Sequence, residues 1–173
     1  MRLATPQVDR RQLSVLFCDL VGSTALSTRI DPEDLREVLR LYQNTVAAAI
    51  QQCDGYVADY RGDGVLAYFG WPSADEVQAC NAVRAASAAV VAVPKIVVPS
   101  GELLAAKASV ATGYVVVGDL PNEGGLQAAA ISGETPNRAA RIESEAKPGQ
   151  VLIDGATKRL LGAHLLQLKG AMD

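Results

Sequence analysis

A single histidine, His164, serves the whole chain, so a zinc site built on several imidazoles is excluded. Cysteines number three, at Cys18, Cys53 and Cys80, with no CxxC spacing among them. They lie in apolar or helical contexts and are expected to be buried free thiols of a reducing, cytoplasmic protein. No basic run occurs, and the net charge of −3 excludes the electrostatic footprint of a nucleic-acid binder. No apolar stretch approaches the roughly 20 residues of a membrane span. The richest, residues 83–98, is interrupted by Arg84, Pro94 and Lys95. The first twelve residues lack the apolar centre of a secretory signal. What is present is ordinary for a soluble globular protein: 49% hydrophobic and 20% charged residues over 173 positions, enough for one domain with a core.

Local patterning gives an order of elements. Residues 12–19 (QLSVLFCD) are a short apolar run read as a buried strand, and Gly22-Ser23-Thr24 reads as a helix start. Asp31-Pro32 opens a second helix, with Asp31 as N-cap and an apolar stripe through Leu35, Val38, Leu39, Tyr42, Val46 and Ile50. Strands over 56–61 and 65–69 flank Gly62-Asp63-Gly64, a strong hairpin signal. An alanine-rich helix is expected over 74–93, then a loop over 94–103. Strands are expected over 104–112 and 114–117, hinged at Gly113, and over 128–131. A helix over 134–146 precedes the turn Lys147-Pro148-Gly149. A strand over 151–153, a short helix over 156–161 and a last strand over 164–168 complete the expectation. The class is α+β with a mixed or antiparallel sheet, in one domain over 11–173 after an extension over 1–10.

Three features carry chemistry. Asp19 closes the first strand. It could hold a hard cation while the N–H groups of the next turn hold phosphate, with Gly22 allowing close approach; equally, it could only cap the helix. Asp63 at the hairpin tip is what a tight turn wants, yet it could meet Asp19 if the hairpin pairs beside the first strand. Two such carboxylates could hold two divalent ions. Asn137 and Arg141, four apart on one helix face, could orient a sugar and stabilise charge at phosphorus; alternatively, Arg141 pairs with Glu145 on a solvated face.

In order, FCDLVGST, YRGDGVLAYFG, SGETPNRAARIES and KPGQVLI resemble the class III adenylate/guanylate cyclase catalytic domain. More narrowly they resemble the bacterial branch akin to the soluble, bicarbonate-type adenylate cyclases. The resemblance covers roughly residues 10–170. It implies a ferredoxin-like βαββαβ sheet flanked by helices, and two Mg²⁺ or Mn²⁺ ions held by Asp19 and Asp63, with Leu20 beside the first. It also implies phosphate binding by Val21, Gly22, Ser23 and Thr24, with Lys107 and Lys169 on the triphosphate. Asn137 and Arg141 would act from the second chain of a head-to-tail homodimer, with residues 119–130 as the interface arm. In this branch further domains often follow. The reaction implied is attack of the ribose 3′-oxygen of ATP on its α-phosphorus, releasing pyrophosphate.

The sequence departs from the resemblance at the base. Adenylate-specific members carry lysine where Asp59 stands, and aspartate or threonine where Ala130 stands. An ionised Asp59 cannot donate to adenine N1 and would instead accept from guanine, whereas Ala130 offers no side-chain hydrogen bond. The expectation is an adenylate cyclase of weak base selectivity. The alternatives are a guanylate or dual-specificity cyclase, motivated by Asp59, and a non-catalytic nucleotide-binding regulatory domain, motivated by the degenerate base pocket.

Overall fold

The computed structural model describes residues 9–119 and 129–170, with side chains at 119, 129, 130 and 164–170 outside the description. In chain order the elements are β1 (Asp9–Leu20), α1 (Ser23–Arg29), α2 (Pro32–Gln52), β2 (Tyr56–Arg61), β3 (Gly64–Phe69) and α3 (Gln78–Ala92). There follow β4 (Ala106–Asp119), β5 (Ala129–Ser132), α4 (Glu134–Glu145), β6 (Val151–Ile153) and α5 (Gly155–Gly170). The sheet runs β2-β3-β1-β4-β5, and β6 joins β4 in parallel. β1 lies antiparallel between β3 and β4. Two β-α-β units therefore interleave, each clasping the other's first or last strand, which is the ferredoxin-like arrangement.

The two faces of the sheet are covered unequally. α2 and α3 close one face over a core containing Leu16, Tyr42, Ile50, Val65, Phe69 and Val110. Alanines at 82, 85, 86 and 89 of α3 are wholly buried, and their small size lets the helix lie close to the strands. Tyr42 is fully buried, and its hydroxyl donates to the Cys18 carbonyl at 2.8 Å, which satisfies its polar end. The second face carries a smaller cluster, Leu13, Val15, Leu66, Tyr68, Val115 and Ala139, under α4. That helix packs on β4 and β1, and Asp19 and Gly64 line a cavity beside it.

Several expectations change. The strand expected at 164–168 is helix, continuous with the short helix expected before it, as α5. Short apolar runs carry no decisive period, and Gly162 does not break a segment rich in Leu, Ala, Lys and Gln. Gly113 is no hinge: β4 runs straight through it, paired with Leu13. A Cβ there would stand 2.5 Å from Thr135 Oγ1, so the glycine admits the start of α4 against the strand. α3 begins at Gln78 rather than 74, because Asp75 accepts from the Val77 N–H at 3.0 Å and from Asn81 Nδ2 at 3.2 Å. Asp31 occupies the N-cap of α2 without a side-chain cap bond. Among the three free cysteines only Cys18 is buried, and burial pushes its thiol up to about 12. Among the described residues, no helix is long and apolar enough to cross a membrane.

Candidate active site

Register and one tight turn bring Asp19 and Asp63 together. β1 pairs with β3 so that Asp19 lies opposite Gly64. A Cβ on residue 64 would stand 2.5 Å from Asp19 Oδ1, so the glycine makes room for the carboxylate. Gly62, at φ +58°, turns the hairpin, and the Leu20 N–H donates to the Asp63 carbonyl at 2.9 Å. Ser23 Oγ donates to Asp63 Oδ2 at 2.5 Å. Both aspartates line a cavity of about 230 Å³, together with Phe17, Arg61 and Glu143.

Glu143 was not anticipated. It lies two residues beyond Arg141 on α4, is only 7% exposed, and turns inward against Asp19. Lys107, opposite Asp19 in the β1–β4 register, places Nζ 3.2 Å from Glu143 Oε1. That oxygen nonetheless lacks an aligned hydrogen-bond donor. Burial, the negative charge of Glu143 and that of Asp63 push the Asp19 carboxyl up to about 7, against the opposing pull of Lys107. The only local hint of Glu143 in the sequence is its place on the inward side of an amphipathic helix. Its proximity to Asp19 is a tertiary fact.

The phosphate turn is partly committed. The Val21 N–H donates to the Ala105 carbonyl at 2.8 Å and the Leu20 N–H to Asp63, so neither is directed at a ligand. Gly22 adopts φ +69°, and the first N–H groups of α1, at Ser23 and Thr24, have no acceptor within the helix. Lys107 sits beside the two aspartates but is engaged by Glu143. Lys169 falls in α5 and Ala130 in β5, opposite Gly118, and neither side chain is described. The expected interface arm lies mostly outside the described residues.

Asn137 lines a second cleft of about 320 Å³, walled by Phe17, Leu66, Tyr68 and Ile131 and adjoining the first through Arg61. Arg141 lines neither space. Its side chain is 69% exposed, and its nearest acid is Glu134 at 3.6 Å rather than Glu145. Asp59 is bound by Arg61, whose Nε donates to Oδ2 at 2.9 Å.

With that geometry in place, comparison with known proteins is decisive. Residues 6–172 match the family model described as the adenylate and guanylate cyclase catalytic domain. The chain belongs to the class III adenylate/guanylate cyclase family. An adenylate cyclase of Streptomyces griseus is 31% identical over 161 residues, 91% of this chain and 34% of that protein. An uncharacterised Rhizobium meliloti protein is 30% identical over 155 residues, 89% of this chain and 15% of its own length. The chain thus spans about a third or less of these relatives. Among solved structures, the guanylyl cyclase Cya2 superposes with a TM-score of 0.82 at 31% identity, covering 88% of this chain and 79% of that one. The adenylyl cyclase CyaB of P. aeruginosa gives 0.76 at 27% identity, covering 91% and 83%.

The donor set of this cyclase domain fits hard divalent cations. Oxygen ligands from one or two carboxylates, completed by water and substrate phosphates, are what Mg²⁺ and Mn²⁺ take. Asp19 and Asp63 supply that number at one cavity. Among the described residues there is no group of three or more His, Cys, Asp or Glu side chains arranged to enclose a metal.

Proposed function

We propose that this domain converts ATP into 3′,5′-cyclic AMP and pyrophosphate at sites shared by two copies of the chain, with weak discrimination between purine bases. One observation carries the reading: β1 and the β2–β3 turn bring Asp19 and Asp63 to one cavity. Arg141 of the same chain stands outside that cavity, exposed and loosely paired. A chain that holds its acids and its guanidinium apart is complete only opposite a second copy. Head-to-tail pairing would set Asn137 and Arg141 of each chain against the aspartates of the other.

Asp19 and Asp63 would hold two Mg²⁺ or Mn²⁺ ions. When bound, these supply a lowered pKa at the 3′-hydroxyl and charge neutralisation on the triphosphate. Ser23 fixes the Asp63 carboxylate, and Gly64 leaves Asp19 the space to project. The free N–H groups at the start of α1, next to the Ser23–Asp63 bond, would take phosphate oxygens. Asn137, in the second cleft, orients the ribose, and Arg141 offsets charge developing at the α-phosphorus. Positioning and electrostatics do most of the work in such a transfer.

The Asp59–Arg61 pair favours a second reading, in which GTP is also a substrate. The test is a mixing experiment with ATP or GTP and Mn²⁺, reading cyclic product. Asp63→Ala and Arg141→Ala chains should each be inactive alone, and mixed dimers should recover activity through one intact site per pair. A mixture of folded dimers that stays silent, beside an active wild type, would overturn the shared site. A wild-type chain yielding no cyclic product from either nucleotide would overturn the enzyme reading itself.

A further inference from the structure

The strand that carries Arg61 is irregular where it matters. Val57 pairs with Ala67, but Asp59 pairs with Leu66, so a bulge falls between them. Along an unbroken strand Asp59 would share the face of Val57, which packs on the α2–α3 side. The bulge turns Asp59 and Arg61 instead to the face of Leu66, which belongs to the cluster under α4. Arg61 lines the cleft that holds Asn137, and Asp59, outside the cleft, accepts from its Nε at 2.9 Å.

Such a pair is set up to present donors. Anchoring Nε leaves the two terminal nitrogens of the guanidinium as a forward-facing fork. The cleft around it mixes apolar side chains, Phe17, Leu66, Tyr68 and Ile131, with the polar ones of Ser132 and Asn137, so a flat ring with polar edges suits it. The neighbouring cavity, also touched by Arg61, holds Asp19, Asp63 and Glu143 and has the character of a cation site. Arg61 therefore lies on the boundary between the Asn137 cleft and the carboxylates of its own chain. Guanine presents O6 and N7 as two adjacent acceptors, which a guanidinium fork matches. Adenine offers N7 beside an amino donor, which it does not. The Asp59 carboxylate, taken up by Arg61, is correspondingly less available to read guanine on its own.

We propose that Arg61, aimed by the β2 bulge and anchored by Asp59, is a specificity-determining residue that contacts the six-position edge of the purine and so admits GTP beside ATP. The inference rests on the cyclase reading and names the residue behind its loose base selectivity.

The experiment measures binding, without turnover, of 3′-deoxy-ATP and 3′-deoxy-GTP in the presence of Mn²⁺ by calorimetry. The whole chain is used, as wild type and as Arg61→Met, Arg61→Lys and Asp59→Asn. Arg61→Met should weaken the guanine nucleotide about tenfold relative to the adenine one, the scale of one lost bidentate contact. Arg61→Lys should give a smaller shift in the same direction, because an ammonium cannot match both acceptors. Asp59→Asn should also move the ratio toward adenine, by releasing the anchor. Equal weakening of both nucleotides would place the guanidinium on the triphosphate and overturn the proposal. An unchanged ratio in all three variants would overturn it while leaving the cyclase reading intact. A wild type that binds neither nucleotide would end both.

Discussion

Asp154 and Asp19 flank the same strand, β4, and meet opposite fates. Asp154 follows β6 and is surrounded by donors: Arg138 Nε at 2.9 Å, the Thr157 N–H at 2.9 Å, Thr157 Oγ1 at 2.7 Å and the Thr112 N–H at 3.3 Å. Burial pushes its carboxyl up, yet the bonds from Thr157, Arg138 and Thr112 outweigh burial and hold it below the usual range. Asp19 has Glu143 and Asp63 for neighbours, with Lys107 the opposing cation, and its carboxyl is raised to about 7. A carboxylate that serves the fold is satisfied by the fold. Asp19, proposed here to serve a ligand, is left short by the fold, and binding would supply what folding withheld. Arg138 and Arg141, one turn apart on α4, repeat the contrast: the first is built into the Asp154 network, the second is exposed.

The largest break in that comparison should come from Asp154→Ala. Its side chain is 7% exposed, and truncation strands Arg138 and three donors from Thr112 and Thr157. A loss of about 3 kcal/mol in unfolding free energy is expected by urea titration. A loss under about 1 kcal/mol would mean the network is ornamental.

Asp19→Asn should go the other way. For a carboxyl raised in the folded state, the stabilising contribution is present below the unfolded value near 4 and is lost as pH rises through about 7. The amide mimics the protonated form, so in chelator the variant should be more stable than wild type at pH 8. About 1 kcal/mol is expected, a figure reduced for the solvent that reaches the cavity. The advantage should shrink as pH falls and vanish only below about pH 4, and Mn²⁺ binding should be lost throughout. Equal stabilities at both pH values would show that Asp19 carries no stored cost.

The smallest effect on stability should be that of Arg141→Ala. An exposed side chain 3.6 Å from its nearest acid contributes within about 0.5 kcal/mol. Cyclic-nucleotide production should nonetheless fall to background. A destabilisation as large as that of Asp154→Ala would make Arg141 a structural residue and remove its assigned role.

Much of this was legible along the chain. The Asp-Gly turn at 62–64, the apolar stripe of α2 and the alanines of α3 each mark their element locally. The family motifs pick out Asp19, Asp63, Asn137 and Arg141. Less was legible where a residue's meaning depends on its partner. Gly113 reads as a hinge until α4 is seen against it, and residues 164–168 read as a strand until the helix before them is seen to continue. Asp59 reads as a lone acid in the base pocket until Arg61 is found upon it. Lys107 reads as a residue of the triphosphate site, and nothing near it in the chain announces the Glu143 carboxylate at 3.2 Å.

The sequence by itself determined most of the strands and helices, residues 164–168 excepted, and most of the side chains that the proposed chemistry uses. Those properties rest on neighbours within a few positions and on residue type. Tertiary structure alone decided how the groups are used: the register that sets Asp19 over Gly64, the bulge that turns Asp59 and Arg61 to the open face, and the helix packing that buries Glu143 against Asp19. These depend on pairings between distant parts of the chain. A shift of one residue in a strand carries a side chain to the opposite face, and no local pattern records which shift the sheet adopts.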